Sequence, residues 1–524
     1  MTSESLLTLN DNSLLDDSDL FIKPQKKHKV LMLADHPLAP SGVGVQARFL
    51  IEGLIAKGRW SFRCLGGAMK HANYDTVGVN PDFIVKPVDG FGTKDMIRSL
   101  LITERPDAIF LFTDPRQFIW IWEMEDEIHQ ICPIVYWHVW DNDPYPQFNF
   151  PWYESTDLIN CLSYKTFEMV KAKFPEKTHY IPHAFPKQVF FPLPESQVKM
   201  LRQQNFGSRA NWFSALWVNR NATRKMPADV LYGWKAFLEK LEKKNGHKEA
   251  ILIMHTDPND PEGPNLLAVS DMLGIANNVW FSTDKLGFDQ MNVMHNITDC
   301  GINIAKNEGF GLSTLISMQC GKPIVALKTG GLTRQIVDSK DGFEYGAAIE
   351  PAKRSLVGSQ MVPYIFEDYC TEEQVADALL KVFDFTDEQK AELKRRTEEH
   401  LKTEFDYGQV VDAWDKTMLE CIESFQKKKQ EGTNKRWGIY PLNVVDARPL
   451  VNALDNDLGG GSTRPTTDGS NNAAGSTTGG SLAPGLPSTS NSVPAARIDD
   501  NKQIRSGLKV KKMTRKKTVS QEAK

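Results

Sequence analysis

A glutamate stands directly before two glycines and a predicted helix in the stretch NEGFGLSTLISMQCGKPIV, residues 307–325. Gly309 and Gly311 let the backbone approach a ligand closely, and a helix that begins at Leu312 presents unpaired N–H groups, which suit a diphosphate. Glu308 would repel phosphate, so it fits better as an acceptor of hydrogen bonds from sugar hydroxyl groups. The stretch is consistent with a sugar bound through a diphosphate. The alternative is a plain turn in which Glu308 caps the helix.

Three cations lie close together in WVNRNATRKMPADVL, residues 217–231. Arg220, Arg224 and Lys225 follow a predicted strand and precede a predicted helix. At such a junction they could face a diphosphate leaving group and stabilise its charge as the bond to a sugar breaks. The alternative is a solvated basic loop. A second junction suited to anions in the same half of the chain favours the binding role.

A glycine turn also follows the first predicted strand, in SGVGVQARFL, residues 41–50. Ser41, Gly42 and Gly44 stand at the predicted start of a helix. The turn could approach a ligand, and it equally suits a plain connection between a strand and a helix.

Polar side chains end another strand of the first half, in VYWHVWDNDPYP, residues 135–146. His138 could contact a reacting sugar from the opposite wall of a cleft, or it could be a buried, hydrogen-bonded structural histidine. Asp141 and Asp143 form a spacing that can bind Mg²⁺ or Mn²⁺. The spacing is short and common, and a cationic diphosphate site needs no metal, so we predict no metal ion.

These residues must be positioned by alternating strands and helices, which predict parallel sheets covered on both faces. The alternation starts near residue 28 and restarts after a proline-rich stretch, which predicts two doubly wound α/β domains facing across a cleft. Ligands of such sheets bind beyond the carboxyl ends of the strands. We predict a flexible leader (1–27), an N-terminal domain (28–187), a linker (188–210), a C-terminal domain (211–400), a closing helix with an extension (401–453) and a disordered tail (454–524).

Composition places the chain in a cytosolic class. A length of 524 residues fits two domains, and a net charge of −4 implies no global attraction to nucleic acid. No apolar run of about 18 residues predicts a membrane span, and the acidic N-terminus does not resemble a signal peptide. The seven cysteines form no C-x-x-C pair, which is typical of reduced thiols, so we predict a cytoplasmic protein.

The C-terminal tail has two parts. Residues 454–496 are rich in Gly, Ser, Thr and Asn, and such a composition cannot bury enough apolar surface to fold. Residues 502–517 carry eight Lys and Arg residues, which could contact a polyanion such as nucleic acid or act as a solubilising end.

The chain resembles the retaining glycosyltransferases of the GT-B fold, most closely glycosyltransferase family 4. The resemblance runs from about Lys29 to Phe425. The stretch from Glu308 onward, with E-G-F-G-L followed by C-G-x-P-I-V, looks like that family's donor-site signature. WVNRNATRK is similar to its Arg/Lys element, and TEFDYGQVVDAWDKTMLECIESF resembles its closing helix, which crosses back to the first domain.

The resemblance implies a set of site residues. Arg220 and Lys225 would bind the donor diphosphate, and Glu308 would hold hydroxyl groups of the transferred sugar. The predicted donor-binding set is Gly42, Gly44, Arg220, Lys225, Glu308, Gly309, Phe310, Gly311 and Leu312, and the predicted catalytic set is His138, Glu308, Arg220 and Lys225. The family often has a second glutamate, which contacts the ribose, where this chain has Ile316. Ribose recognition must therefore differ or be lost.

The resemblance implies transfer of a hexose or pentose from a nucleotide-diphosphate sugar, with retention and without a metal or other cofactor. The leaving phosphate would help to deprotonate the acceptor, which could be a glycan, a lipid, a small molecule or a nucleic acid. The alternatives are an epimerase or phosphorylase of the same fold and, because of Ile316, a non-catalytic module that binds sugar nucleotides.

Overall fold

The computed structural model describes residues 26–433. Most of the predicted leader, the end of the predicted extension and the predicted disordered tail lie outside the described residues. Within residues 26–433, none of the helices combines the length and the apolar composition that a membrane span requires. All seven cysteines fall within this range, and none of them is in a disulfide bond.

The first lobe, residues 28–180, is built on an eight-stranded sheet with the order β3-β4-β2-β1-β5-β6-β7-β8. Neighbouring strands are parallel except β3 and β4. Strands such as AIFLFT are buried along their length, as expected of a parallel sheet covered on both faces. The strands are β1 (His28–Asp35), β2 (Trp60–Gly67), β3 (Val77–Asn80), β4 (Phe83–Pro87), β5 (Ala108–Thr113), β6 (Ile134–His138), β7 (Leu158–Cys161) and β8 (Thr178–Tyr180). The helices are α1 (Gly42–Ala56), α2 (Lys94–Thr103), α3 (Ile119–Trp122), α4 (Glu125–His129), α5 (Phe150–Ser155) and α6 (Tyr164–Lys171).

The second lobe, residues 213–383, has a six-stranded parallel sheet with the order β11-β10-β9-β12-β13-β14, which is the order of a dinucleotide-binding sheet. Its strands are β9 (Phe213–Val218), β10 (Ala250–His255), β11 (Val279–Ser282), β12 (Cys300–Asn303), β13 (Ile324–Leu327) and β14 (Gly346–Ile349). The helices from the connecting segment to the end of this lobe are α7 (Glu195–Phe206), α8 (Pro227–Asn245), α9 (Leu266–Met272), α10 (Phe288–Asn296), α11 (Leu312–Gln319), α12 (Thr333–Ile336) and α13 (Glu372–Phe383).

An antiparallel hairpin follows the second sheet. It pairs β15 (Lys353–Val357) with β16 (Ile365–Tyr369) and stands apart from both large sheets. No sequence pattern predicts this hairpin, because β15 is largely exposed and carries no apolar alternation typical of a half-buried strand.

The chain then returns to the first lobe through α14 (Asp387–Thr403) and the long helix α15 (Tyr407–Gln430). Trp414 of α15 is fully buried, with its ring centroid 4.8 Å from that of Phe110 in β5. Asp415 accepts a hydrogen bond of 2.7 Å from the indole N–H of Trp60 in β2. The predicted crossing of the C-terminal helix back to the first domain is therefore confirmed.

The two lobes share one apolar core at the base of the cleft between them. Phe49 of α1 packs against Phe288 of α10, with ring centroids 5.5 Å apart. Ile316 of α11 is 9 % exposed and belongs to the same cluster of buried residues. The helix that opens the predicted donor loop thus also forms part of the contact between the lobes.

Candidate functional site

The predicted site residues lie on loops at the carboxyl ends of the parallel strands. The Gly42 turn follows β1, the segment that begins at Asp141 follows β6, Lys225 follows β9 and Glu308 follows β12. In doubly wound sheets this edge is the place where ligands bind, because the strand order reverses there and leaves a crevice.

Lys225 and Glu308 form a buried ion pair at the centre of this region. Lys225 ends a short 3-10 turn, Thr223–Lys225, and the Lys225 ammonium donates a hydrogen bond to Glu308 Oε2. The side chains are 9 % and 11 % exposed. Burial by itself raises the pKa of the Glu308 carboxyl. The positive charges of Lys225 and Arg224 lower this pKa by more than burial raises it, so the pKa lies below the ordinary value. Burial lowers the pKa of Lys225, and Glu308 offsets part of that shift.

In the loop from Gly309 to Leu312, the groups available to a ligand belong to the backbone and not to side chains. Gly311 has φ +91°, and a Cβ at this position would lie 2.4 Å from Leu332 Cδ2, so only glycine fits. The Phe310 side chain turns into the shared core, with its ring centroid 4.9 Å from that of His183. Helix α11 has no side-chain cap, which leaves its first N–H groups free to bind an anion.

The glycine turn of the first lobe meets this loop. A Cβ on Gly42 would lie 3.0 Å from Leu312 Cδ1, so the two predicted donor-binding segments are in direct proximity. Gly44 faces its own lobe instead of the donor loop, because a Cβ there would lie 2.6 Å from the carbonyl oxygen of His36. Ser41 caps α1 by accepting a hydrogen bond of 3.0 Å from the N–H of Gly44.

Two predicted residues lie away from the Lys225–Glu308 pair. His138 is fully buried and is hydrogen-bonded to the Tyr153 hydroxyl at 2.7 Å, and burial lowers its pKa to about 3. Arg220 is exposed and forms ion pairs of 2.7 Å with Asp260 and 2.8 Å with Glu262. The structure brings neither side chain to the cavity described next, and their catalytic and donor-binding roles stay predictions.

A cavity of about 190 Å³ lies between the lobes. Arg224 and Asn307, the chain neighbours of Lys225 and Glu308, line it, whereas the ion pair itself does not. Asp114, Arg116, Trp140 and Asp141 line it from the first lobe, Arg224 and Asn307 line it from the second lobe, and residues 357–367 of the hairpin form its remaining wall. Small-molecule pockets usually measure about 300–1,000 Å³, so this cavity is smaller than most of them. Arg224 belongs to the cation triplet that could face a diphosphate, but not to the donor-binding set that the family resemblance implies. No sequence pattern indicates Asp114 or Arg116, although both directly follow β5 at the point where the strand order reverses.

Five side chains form a polar network across the cleft, which we call the interlobe latch: Asn142, Asp143, Thr329, Arg354 and Asp368. The Asn142 amide donates hydrogen bonds to Thr329 Oγ1 (3.1 Å) and Asp368 Oδ2 (2.9 Å). Arg354 pairs with Asp368 at 2.7 Å and with Asp143 at 3.4 Å. Two residues of the Asp-Asn-Asp run are therefore used for contacts between the lobes. Within residues 26–433, no group of three or more His, Cys, Asp or Glu side chains could hold a metal ion.

Comparisons with known proteins identify the fold. No protein-family model matches the chain, and no curated protein sequence does. Among solved structures, sucrose-phosphate synthase from Thermosynechococcus elongatus is similar at 13 % identity and a TM-score of 0.55, over 77 % of this chain and 100 % of that one. The Anabaena protein Alr3699/HepE in complex with UDP and glucose is similar at 16 % identity and a TM-score of 0.55, over 75 % of this chain and 100 % of that one.

The catalytic domain of starch synthase IV from Arabidopsis thaliana, bound to ADP and acarbose, is similar at 13 % identity and a TM-score of 0.53, over 76 % of this chain and 100 % of that one. Together with the two facing parallel sheets and the crossing helix, these likenesses show that the chain has the GT-B fold. The predicted fold class is confirmed. At such identities the likeness concerns the fold alone.

Proposed function

We propose that the chain is a glycosyltransferase, similar to family 4, that moves a sugar from a nucleotide-diphosphate donor to an acceptor with retention of configuration and without a metal ion. The observation that carries this proposal is the buried Lys225–Glu308 pair, which precedes the uncapped start of α11 and whose chain neighbours Arg224 and Asn307 line the interlobe cavity. Structures of the same fold contain UDP with glucose, or ADP, which supports a nucleotide-sugar donor.

Each part of this site has a distinct task in the proposed reaction. Lys225, Arg224 and the first N–H groups of α11 neutralise the diphosphate, whose negative charge grows as its bond to the sugar breaks. Glu308 accepts hydrogen bonds from hydroxyl groups of the sugar. The closed lobes exclude water, so that the acceptor hydroxyl and not the solvent meets the anomeric carbon. Because these two cations and the helix N-terminus neutralise the diphosphate, the proposed reaction needs no metal ion.

Donor hydrolysis and nucleotide binding test the proposal. The wild type is incubated with UDP-glucose, ADP-glucose and GDP-mannose, and release of the nucleoside diphosphate is measured. Calorimetry gives the affinity for UDP and ADP. We expect Glu308→Gln to lower hydrolysis by about 100-fold or more with a small change in affinity, because the sugar contact strengthens in the transition state. We expect Lys225→Met to weaken nucleotide binding by about tenfold.

The matched controls are Glu195→Gln and Lys199→Met, which remove the two members of an exposed ion pair on α7. If Glu308→Gln and Lys225→Met hydrolyse donors and bind nucleotides as well as these controls do, the Lys225–Glu308 pair is not part of the active site. Methanol as the acceptor gives a methyl glycoside, whose anomeric configuration by NMR tests retention. Undiminished activity in EDTA supports the metal-free route.

A second candidate function is a non-catalytic module that binds sugar nucleotides. It is favoured by Ile316, which is packed into the shared core where the family resemblance expects a glutamate. Calorimetric binding of UDP without hydrolysis or methanolysis of any of the three donors would support this candidate. In both cases we place the protein in the cytoplasm, with a glycan, lipid, small molecule or nucleic acid as the partner of the transferred or bound sugar.

A further inference from the structure

Asp141 differs from its two neighbours in what it contacts. Asn142 and Asp143 belong to the interlobe latch, whereas Asp141 lines the cavity. A Cβ on Gly309 would lie 3.1 Å from Asp141 Oδ1, so this carboxylate of the first lobe lies against the donor loop of the second. Among residues 26–433, no side chain forms a hydrogen bond or ion pair with the Asp141 carboxylate. It is therefore free to accept a proton or a hydrogen bond from a ligand.

Charged groups from three loops face Asp141. Asp114 and Arg116 follow β5, Arg224 and Lys225 follow β9, and Glu308 follows β12. Burial raises the pKa of Asp141, Arg224 and Lys225 lower it, and Glu308 and Asp114 raise it, with a net shift above the ordinary value. A carboxylate of this kind is a better proton acceptor than an exposed aspartate, because catalytic efficiency increases as the pKa of the base approaches the working pH.

The geometry points to Asp141 as the catalytic base of the proposed glycosyl transfer, acting on the hydroxyl group of a compact acceptor that enters the cavity beneath the β15–β16 hairpin. This inference rests on the proposed function. The acceptor oxygen forms a bond to the anomeric carbon, its proton moves to Asp141, and the bonding electron pair of the sugar–phosphate bond leaves with the nucleoside diphosphate. The family resemblance assigns that proton to the leaving phosphate, whereas this inference assigns it to Asp141, which lines the cavity from the first lobe.

The hairpin limits the class of acceptor. Val357, Val362 and Ile365 form an apolar wall of the same cavity of about 190 Å³, and Glu367 adds a carboxylate to it. The Asp114 carboxylate is already paired with Arg116 at 2.7 Å, and Glu367 is paired with Lys306 at 2.9 Å. A small alcohol or a single sugar unit suits this enclosure.

Donor hydrolysis tests the inference without knowledge of the acceptor, since water then takes the place of the acceptor hydroxyl. The donor is whichever of UDP-glucose, ADP-glucose and GDP-mannose the wild type hydrolyses fastest. We expect Asp141→Asn to lower hydrolysis by about 100-fold or more, as is usual for loss of a general base. We expect UDP to bind as tightly as to the wild type, or more tightly, because a negative charge is removed. The exposed Asp271→Asn is the matched control.

Two further readouts separate a base from a structural residue. The wild-type hydrolysis rate should increase with pH along a limb that Asp141→Asn lacks. Formate should restore part of the hydrolysis by Asp141→Ala, because a small carboxylate can occupy the vacated space, and it should not restore hydrolysis by Glu308→Ala. Hydrolysis by Asp141→Asn within threefold of the control, or a lost activity that formate does not restore, would overturn the inference. Absence of hydrolysis of all three donors by the wild type would overturn the proposed enzymatic function, and this inference with it.

Discussion

Asn142 of the first lobe donates a hydrogen bond of 2.9 Å to the buried carboxylate of Asp368 in the second lobe. Asp368 also accepts hydrogen bonds from Thr329 at 2.8 Å and from Arg354. A buried carboxylate is costly to desolvate unless several donors satisfy it, and here one of these donors belongs to the opposite lobe. The two lobes are therefore held together by polar contacts with strict geometry as well as by the shared apolar core.

Loss of the Asn142 amide should destabilise the protein. Asn142→Ala removes three hydrogen bonds and leaves buried acceptors with fewer donors, so we expect the free energy of unfolding to fall by about 2 kcal/mol. Urea unfolding followed by circular dichroism measures the change. Asn211→Ala, at an exposed position, is the control. Equal unfolding midpoints for the two variants would show that the latch adds no stability.

The latch should also weaken in acid. Burial raises the pKa of Asp368, but its hydrogen bonds with Arg354, Asn142 and Thr329 lower it to below the ordinary value. A carboxyl with a lowered pKa contributes stability above its unfolded pKa of about 3.9, and this contribution is lost as the pH falls through the folded pKa. Urea unfolding between pH 3 and 7 should show wild type and Asp368→Asn converging in free energy toward the acid end. A constant difference across this range would contradict the linkage.

Gly330 should tolerate no side chain. Its φ is +45°, and a Cβ there would lie 2.1 Å from the Asp141 carbonyl oxygen and 2.2 Å from the Glu308 carbonyl oxygen, one from each lobe. Gly330→Ala must push these two segments apart, so we expect a loss of stability about 1–3 kcal/mol greater than that of the control, together with loss of donor hydrolysis. The control is Gly274→Ala, which has φ +70° and no atom within 4 Å of the added Cβ. It measures backbone strain alone, and thermal melting that ranks the two variants equally would refute the steric account.

Arg224 and Arg220 should differ in their contribution to nucleotide binding. Arg224 lines the cavity, whereas Arg220 is held by Asp260 and Glu262 and must break two ion pairs to reach a diphosphate. We expect Arg224→Ala to weaken UDP binding by about tenfold at low salt and Arg220→Ala to weaken it less. Calorimetry on both variants decides between them. A larger loss for Arg220→Ala would show that this side chain swings into the site and would support its predicted role.

The proximity of Lys225 and Glu308 could be anticipated from the sequence because each follows a buried strand, and the ends of neighbouring parallel strands meet at one edge of the sheet. Their ion pair could not, since the two residues have separate predicted tasks. The direction in which the Arg220 side chain points could not be anticipated from the sequence. Its partners Asp260 and Glu262 come from a loop about 40 residues further along the chain, and no local pattern links the two segments. The setting of His138 depends in the same way on Tyr153, which α5 brings beneath β6. The latch was missed for a similar reason, since the hairpin that carries Asp368 and Arg354 has no periodic signal of its own.

The contact of Phe49 with Phe288 has a thermodynamic consequence. If the lobes separate to admit a donor, these rings and Ile316 become hydrated, and hydration of apolar surface increases the heat capacity. Closure of the lobes over a ligand would then have a negative heat-capacity change. The hydrophobic contribution to closure would weaken on cooling. The balance between the open and closed forms would depend on temperature even where the polar contacts of the cleft do not change.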